Sequence, residues 1–482
     1  MKPIHTILIK VLAPLGALIC TACQANTEHQ VTSHGIIWEL SHPVESGTFL
    51  TGDPWVIGPV DVVGISNTIN SPKFTPRAGQ NGSMLNPLKG ATPQNRQQQG
   101  YDDGIPTYNS LVNAGRPNGQ PVSPKNPLAL KVGSSLISSV SWLYLNNDNK
   151  EAGCPRIGGT TGSPRPTMRA ASILTVLQTP PPANSFRPIY CGEGKTVRFT
   201  LQEVNWELLK NFPPPYNSPN PDSLIKAIKR PWVDHAFEWM GGLVHPSEHM
   251  PNYGRDMGNI IVDASLLLHT NIPSEKKREL AVYLIQYGID LAGIADNGGG
   301  WRANGGHSLG RKWPILFAGI MLNDEHMSNA GHWPREFDTG VEFQEDQQHF
   351  YITQEEVHLT QSTQWSPDKR SVKSGEVIAY TAENIGTPEW GIRYAYRPSS
   401  MNGHWWAKYR EVNGGVTPGF ALAALIMDAR DKWNHEAFFD YQDRYVNHPD
   451  SQRRGTNAVN PFVQAMWDQH RSNYPPAWIG QP

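Results

Sequence analysis

No block of basic residues runs through this chain, and no basic stretch is interleaved with aromatics. With a formal net charge of −2 at pH 7 it lacks the footprint of a nucleic-acid binder, so no nucleic-acid partner is expected. Charged residues make up only 17% of the sequence, yet long apolar patterns are present, which argues against a disordered chain. The N-terminal apolar stretch, Val11 to Ile19, is too short to span a membrane; Lys10 precedes it and Pro14 interrupts it. Cysteine is scarce: of four, Cys20 and Cys23 lie in the N-terminal segment, leaving Cys154 and Cys191.

The N-terminal segment reads as an export signal. Lys2 and Lys10 give a positive start, an apolar stretch follows, and small Thr21 and Ala22 precede Cys23. Residues 1–22 are therefore expected to lie outside the fold. The Thr21-Ala22-Cys23 pattern is similar to a bacterial lipoprotein processing site, with Cys20 where Leu is usual, so a lipid on Cys23 would anchor the chain to a membrane. The alternative is ordinary cleavage near Ala22 or Ala25 and a soluble secreted protein. In either case the chain is exported, as a periplasmic, cell-surface or secreted protein. In that oxidising setting two cysteines in Gly/Pro-rich loops suggest a Cys154–Cys191 disulfide; two free buried thiols are the alternative.

Tryptophan and tyrosine are abundant, at sixteen each. A core rarely needs so many indoles, whereas sugar rings pack their C–H faces on flat aromatic surfaces. Gly and Pro, at 44 and 41, exceed their usual combined share of about 12% and point to a loop-rich protein.

The hydrophobic period changes near residue 210. Before it, β-branched runs alternate with turn clusters: 55–65, 128–132, 134–145, 172–177 and 196–200. These predict an antiparallel β-sandwich over 23–210. Asn81–Pro87 and Gly100–Gly104 read as structured loops between strands. A Pro/Asn-rich linker spans 211–224. Beyond it the spacing is helical: Met257, Ile260, Ile261, Ala264, Leu267 and Leu268 form one stripe, and Leu280, Tyr283, Leu284, Tyr287, Leu291 and Ile294 another. Pro314 opens a third helix, Thr417 with Pro418 a fourth, and Asn434 caps a fifth. Residues 225–241 and 457–470 complete an antiparallel α-helical toroid or bundle over 225–482, with an irregular insertion near 340–363. The expected fold class is thus multidomain α and β.

Three loops at helix junctions collect the chemistry. One runs from His245 through Glu248, His249, Asn252, Tyr253 and Arg255 to Asp256. The next, rich in glycine, carries Trp301, Arg302, Asn304, His307, Arg311 and Lys312. The last holds Arg397, His404, Trp405 and Trp406. Glycine lets a backbone approach a ligand closely. The surrounding aromatic faces, guanidinium groups, amides and imidazoles suit a polyhydroxylated, anionic ligand. Within the first loop, His245-Pro-Ser-Glu248-His249 matches the H-x-x-E-H pattern of zinc peptidases. That chemistry needs both His on one helical face, and Pro246 and Pro251 leave room for one turn at most. Glu275 or Glu279 would have to supply the further ligand. The expected chemistry requires no cofactor; a metal on His245 and His249 is the alternative.

A β-rich portion joined to a helical toroid, with Asn/His/Tyr/Arg clusters and many aromatics, resembles the exported polysaccharide lyases and related glycoside hydrolases of the α/α-toroid class. The resemblance is one of fold pattern over most of the mature chain, with the domain order reversed relative to many such lyases. It implies an Asn or Arg that neutralises a uronate carboxylate, a Tyr or His base and a Tyr acid. By residue type Asn252, Tyr253, Arg255, His307, Arg311 and His404 match that set. Elimination requires the carboxylate to be neutralised as enolate charge develops. Arg255, Arg311 or Asn252 would do this, His307 or Tyr253 would take the proton, and Tyr253 would return it to the leaving oxygen. Trp301, Arg302, Asn304, Arg311, Lys312, Arg397, Trp405 and Trp406 would bind the polysaccharide. Two further readings stay open. Glycoside hydrolysis would use a carboxyl pair drawn from Asp256, Glu248 and Asp296. A non-catalytic glycan-binding lipoprotein would need no acid–base pair.

Overall fold

The computed structural model describes residues 26–68, 82–87, 122–141, 168–234, 254–301, 303, 306–334, 341–347, 349–362, 380–386, 388–390, 412–447 and 458–476. The N-terminal part is built on one eight-stranded sheet. Its strands are β1 (Asn26–Ser33), β2 (Ile36–Thr48), β3 (Pro54–Ile57), β4 (Val60–Asn67), β5 (Gly82–Leu85), β6 (Leu128–Leu130), β7 (Ser135–Ser141) and β8 (Met168–Leu177). Their order is β5-β7-β8-β3-β2-β4-β6, with β1 paired to β2. All pairings are antiparallel except β3 with β8.

The sheet curls on itself. Trp38 on β2 donates its indole N–H to Ser138 Oγ on β7 at 3.2 Å, although two strands separate them in the sheet. Inside the curl, Ile36, Trp38, Leu40, Val62, Leu130, Leu136, Leu174 and Val176 form one apolar cluster. Strand side chains alternate between faces. Accordingly Ile137, Ala171 and Ile173 point the other way and join the core of the helical part. The run at 55–65 divides into β3 and β4 around Gly58-Pro59, and 196–200 forms no strand. Residues 82–85, read as a loop, form a strand because Met84 pairs with Ile137, a partner that local sequence cannot reveal.

The C-terminal part is helical. Its helices are α1 (Pro221–Ile228), α2 (Gly254–Leu267), α3 (Ser274–Asp296), α4 (Lys312–Met321), α5 (Glu325–Ser328), α6 (Gln354–Gln361), α7 (Thr417–Ile426), α8 (Arg430–Trp433), α9 (Glu436–Asn447) and α10 (Pro461–His470). A small antiparallel pair, β9 (His349–Tyr351) and β10 (Pro388–Trp390), accompanies them. Both apolar stripes read from the sequence lie on helices, on α2 and on α3. Helix α3 is buried on every side from Leu280 to Ala295, and α4 and α7 are nearly as enclosed. Within the Pro/Asn-rich segment, Asn220 caps α1 through the N–H groups of Asp222 and Ser223, and Phe212 stacks on His470 at 4.0 Å. Asn434 adopts the left-handed conformation at the end of α8 instead of capping α9. Among the described residues no helix is long and apolar enough to cross a membrane.

Arg187 fastens the sheet to the helices. Fully buried, it reaches Asp53 beside β3 at 2.9 Å and Asp290 on α3 at 2.6 Å. Gln286 bonds both the N–H and the carbonyl of the same residue, at 2.9 and 3.1 Å. Burial pushes the Asp290 carboxyl up to about 6, against the pull of Arg187. Removing the guanidinium leaves two buried carboxylates without their cation, which costs about 3–5 kcal/mol. Arg187→Ala should therefore lower the unfolding free energy by about that amount in denaturant titrations. A loss under about 1 kcal/mol would contradict this role.

Candidate functional site

The glycine-rich loop joins α3 to α4 and has little shape of its own. Its form comes from a short turn at Gln344–Asp346, within the segment expected to be an irregular insertion. Gln347 Oε1 accepts from Ala303 N at 2.7 Å, and Gln344 Oε1 accepts from Ser308 N at 2.8 Å. Glu345 Oε1 takes the N–H groups of Gly310, Arg311 and Lys312 at 2.8, 3.0 and 3.4 Å. The first N–H groups of any helix lack partners inside the helix and favour negative charge. Arg311, at the N-cap of α4, gives no side-chain cap, so Glu345 supplies the acceptor from another part of the chain.

Arg311 and Lys312, expected to face a ligand, lie wholly inside. Arg311 Nε meets Asp234 at 2.6 Å, and Nη1 donates to the carbonyls of His307 and Leu309 at 3.0 and 2.6 Å. Lys312 Nζ lies 2.7 Å from both oxygens of Asp346 and 2.6 Å from the Trp433 carbonyl. Trp301 is also buried, its indole stacked on Phe343 at 5.8 Å and its backbone N–H bonded to the Glu342 carbonyl at 2.6 Å. These three residues form the underside of the loop. Close partners across 77 and 34 positions explain why charges in a polar loop are interior.

Beneath the loop lies a buried polar group. Burial raises the Asp234 carboxyl above its ordinary range, against the Arg311 guanidinium. Burial and then Asp234 hold the Tyr287 phenol well above its own. The Tyr287 hydroxyl interacts with Asp234, and among the described residues Glu345 Oε2 has no hydrogen-bond partner.

The described ends of the three junctions adjoin. A Cβ on Gly254 would overlap the carbonyl oxygens of Gly306 and His307, so only glycine lets α2 start against the loop. Gly310, at φ +90°, brings its backbone onto Gly258 in the same contact. Arg255 Nη1 donates to the Val412 carbonyl at 3.2 Å, just past the last loop, while its Nε pairs with Asp256 at 2.8 Å. The side chains of Arg255 and Asp256 stay 23% and 30% exposed, and His307 is half-buried. These groups therefore reach solvent at the junction, whereas Arg311 and Lys312 do not.

His245, Glu248, His249, Asn252, Tyr253, Arg302, Asn304, Arg397, His404, Trp405 and Trp406 lie outside the described residues, as do Cys23 and Cys154. Asp296 lies elsewhere, against His326, and Glu275 and Glu279 sit at the end of α3 remote from the loop. Among the described residues no group of three or more His, Cys, Asp or Glu side chains could hold a metal ion. Cys191 is buried, and burial raises its thiol above the ordinary range. Sequence reading missed Asp234, Tyr287, Gln344, Glu345, Asp346 and Gln347. The polar run from Gln344 to Gln347 beside Phe343 is the local signal that marks four of them.

Burial raises the Glu345 carboxyl, its own backbone N–H opposing, Asp346 adding and the Gly310 N–H and Arg311 opposing. The folded chain thus keeps this proton to higher pH than the unfolded chain. Stability must fall as pH climbs from the ordinary carboxyl range through the raised value. Glu345→Gln, which keeps an acceptor, should flatten that fall in denaturation midpoints measured across pH. Glu345→Ala orphans the three N–H groups, each costing about 1–3 kcal/mol when left buried. Hydrogen exchange should then speed up selectively over residues 306–312, and unchanged protection there would refute the clamp.

In comparisons with known proteins, no family model, no curated protein and no solved structure matches the chain.

Proposed function

We propose that the chain is an exported enzyme that cleaves a uronate-containing polysaccharide by β-elimination where the three helix junctions meet. The observation that carries this reading is the close apposition of Gly254 with Gly306 and His307, beside the Arg255 contact to Val412. It supports the reading because the backbone carrying His307 abuts the start of α2, where Arg255 follows, and both residues keep some exposure. In this reading Arg255, helped by Asn252, neutralises the uronate carboxylate. His307 or Tyr253 removes the C5 proton, the C4–O bond breaks, a C4=C5 double bond forms, and Tyr253 protonates the leaving oxygen. Arg311 fixes the carbonyls of His307 and Leu309 and so acts as a positioning residue. Arg302, Asn304, Arg397, His404, Trp405 and Trp406 line the glycan path. The curled sheet then belongs to a sandwich-like domain and the helices to a toroid. Export would remove residues 1–22, Cys23 would carry a lipid, and Cys154 would pair with Cys191.

The test is incubation of the mature protein with uronate and neutral polysaccharides, followed by mass spectrometry. Elimination yields an unsaturated sugar and adds no water; products that gain water would replace this reading with hydrolysis, and intact chains would replace it with glycan binding. His307→Ala and Tyr253→Phe should each reduce turnover by about 10²–10⁴-fold in folded protein. Arg255→Lys should also be harmful, since an ammonium does not reproduce a planar fork on a carboxylate. Asp256→Asn still accepts from Arg255 Nε and should leave turnover largely intact. Loss in Asp256→Asn with activity kept in both His307→Ala and Tyr253→Phe would instead favour a hydrolase. N-terminal sequencing and non-reducing peptide mapping check the export and disulfide proposals; a retained leader or two free thiols would remove them.

A further inference from the structure

A depression opens on the side of the helical part where the 186–199 segment meets α3 and α5. A pocket of about 220 Å³ has apolar walls from Phe186, Ile189, Phe199, Ile289 and Met327. A single water needs about 15 Å³ on the same scale, so it has room for a ligand. Its polar lining comes from Arg187, Thr196, Arg198, Asp296 and His326, with Arg187 already paired to Asp53 and Asp290. It continues into an open shelf of about 520 Å³ that shares Arg198 and His326 and adds Asp324, Glu325, Asn329, His332 and Trp333.

The polar groups are held in defined places. Ile289, Ala292 and Asp296 follow one face of α3 by helical spacing. Asp296 is the last residue of that helix, where the macrodipole disfavours a carboxylate. It is kept there against His326 Nε2 at 2.7 Å. The His326 ring stacks on Trp333 at 4.8 Å, and the Trp333 indole N–H donates to the His326 carbonyl at 3.2 Å. Asp324 caps α5 through Met327 N with one oxygen and pairs with Arg198 through the other, at 2.8 and 2.7 Å. Asp296, His326 and Arg198 still expose 43%, 46% and 54% of their side chains.

We infer that this depression binds a neutral saccharide unit, apart from the elimination chemistry at the helix junctions. At its mouth Arg198 pairs with Asp324 and His326 Nε2 hydrogen-bonds Asp296, while Glu325 lines the adjoining shelf. A charged ligand has to break a pair to bind. A hydroxyl donates and accepts at once, so adjacent sugar hydroxyls lie against a paired cation and carboxylate without separating them. The apolar wall takes the C–H face of the ring. A purely apolar ligand would leave the polar groups at the mouth unused.

The probes are the methyl glycosides of glucose, galactose and mannose, with octanoate and hexylamine as charged apolar controls. Each is titrated against the full mature chain by calorimetry and ligand-observed NMR. At least one glycoside should bind, with affinity unchanged in His307→Ala. Arg198→Ala and Asp296→Ala should weaken it at least tenfold, and the milder Arg198→Lys and Asp296→Asn should weaken it less, with circular dichroism unchanged. Binding lost in His307→Ala would move the site to the helix junctions and overturn the inference. It is equally overturned if no glycoside binds, if the controls bind in place of the glycosides, or if Arg198 and Asp296 variants bind normally. Failure here leaves the elimination reading standing, and the converse also holds.

Discussion

One carboxylate oxygen, Glu345 Oε1, accepts three successive backbone N–H groups at the start of α4, and the shape of the glycine-rich loop depends on it. A loop so rich in glycine loses much conformational entropy on ordering and has few side chains of its own to compensate. Its order is imported. Gln344 and Gln347 bind two further N–H groups, so five backbone donors between Ala303 and Lys312 end on one short turn. The half-buried His307 sits inside the span that this turn controls.

Buried ion pairs then connect the pieces. Asp234 with Arg311 ties the stretch after α1 to the loop, and Lys312 with Asp346 ties α4 to the clamp. Asp53, Arg187 and Asp290 tie the sheet to α3. A buried pair adds little net stability over a well-packed apolar substitute, whereas losing one partner is severe. Any loop shape that separates Arg311 from Asp234 leaves two charges buried and unpaired, at a cost of about 3–5 kcal/mol. The core around them is apolar and continuous, running from Met84 and Ile173 on the sheet to Leu284, Phe317 and Phe420 on the helices.

Periodicity made the helical part legible. The stripe on α2 follows the i, i+3, i+4 rule because that helix buries one face against neighbours, the stripe on α3 lies in a helix enclosed on every side, and the helix expected from Pro314 falls within α4. Strands β1 and β2 went unread and 196–200 forms no strand, but the runs at 55–65, 128–132, 134–145 and 172–177 were legible by β-branching and turn punctuation. The parallel pairing of β3 with β8 and the strand status of 82–85 were not, because each depends on a partner many residues away. The site was legible by residue type and illegible by depth. Arg311 and Lys312 look like ligand-facing cations until Asp234 and Asp346 are placed beside them. Residues 341–347 look like an insertion because a clamp made of side-chain-to-backbone bonds has no period to detect. Arg255 and His307, by contrast, keep access to solvent at the junction.

The most direct test of a single site at the helix junctions is an experimental structure of the mature protein with a uronate oligosaccharide, trapped by using Tyr253→Phe. The expected result is ligand density against Arg255 and His307, with the substituted ring at position 253, His404 and Trp405 or Trp406 around the same groove. Ligand seated elsewhere, or these side chains spread over different faces of the protein, would contradict a common site.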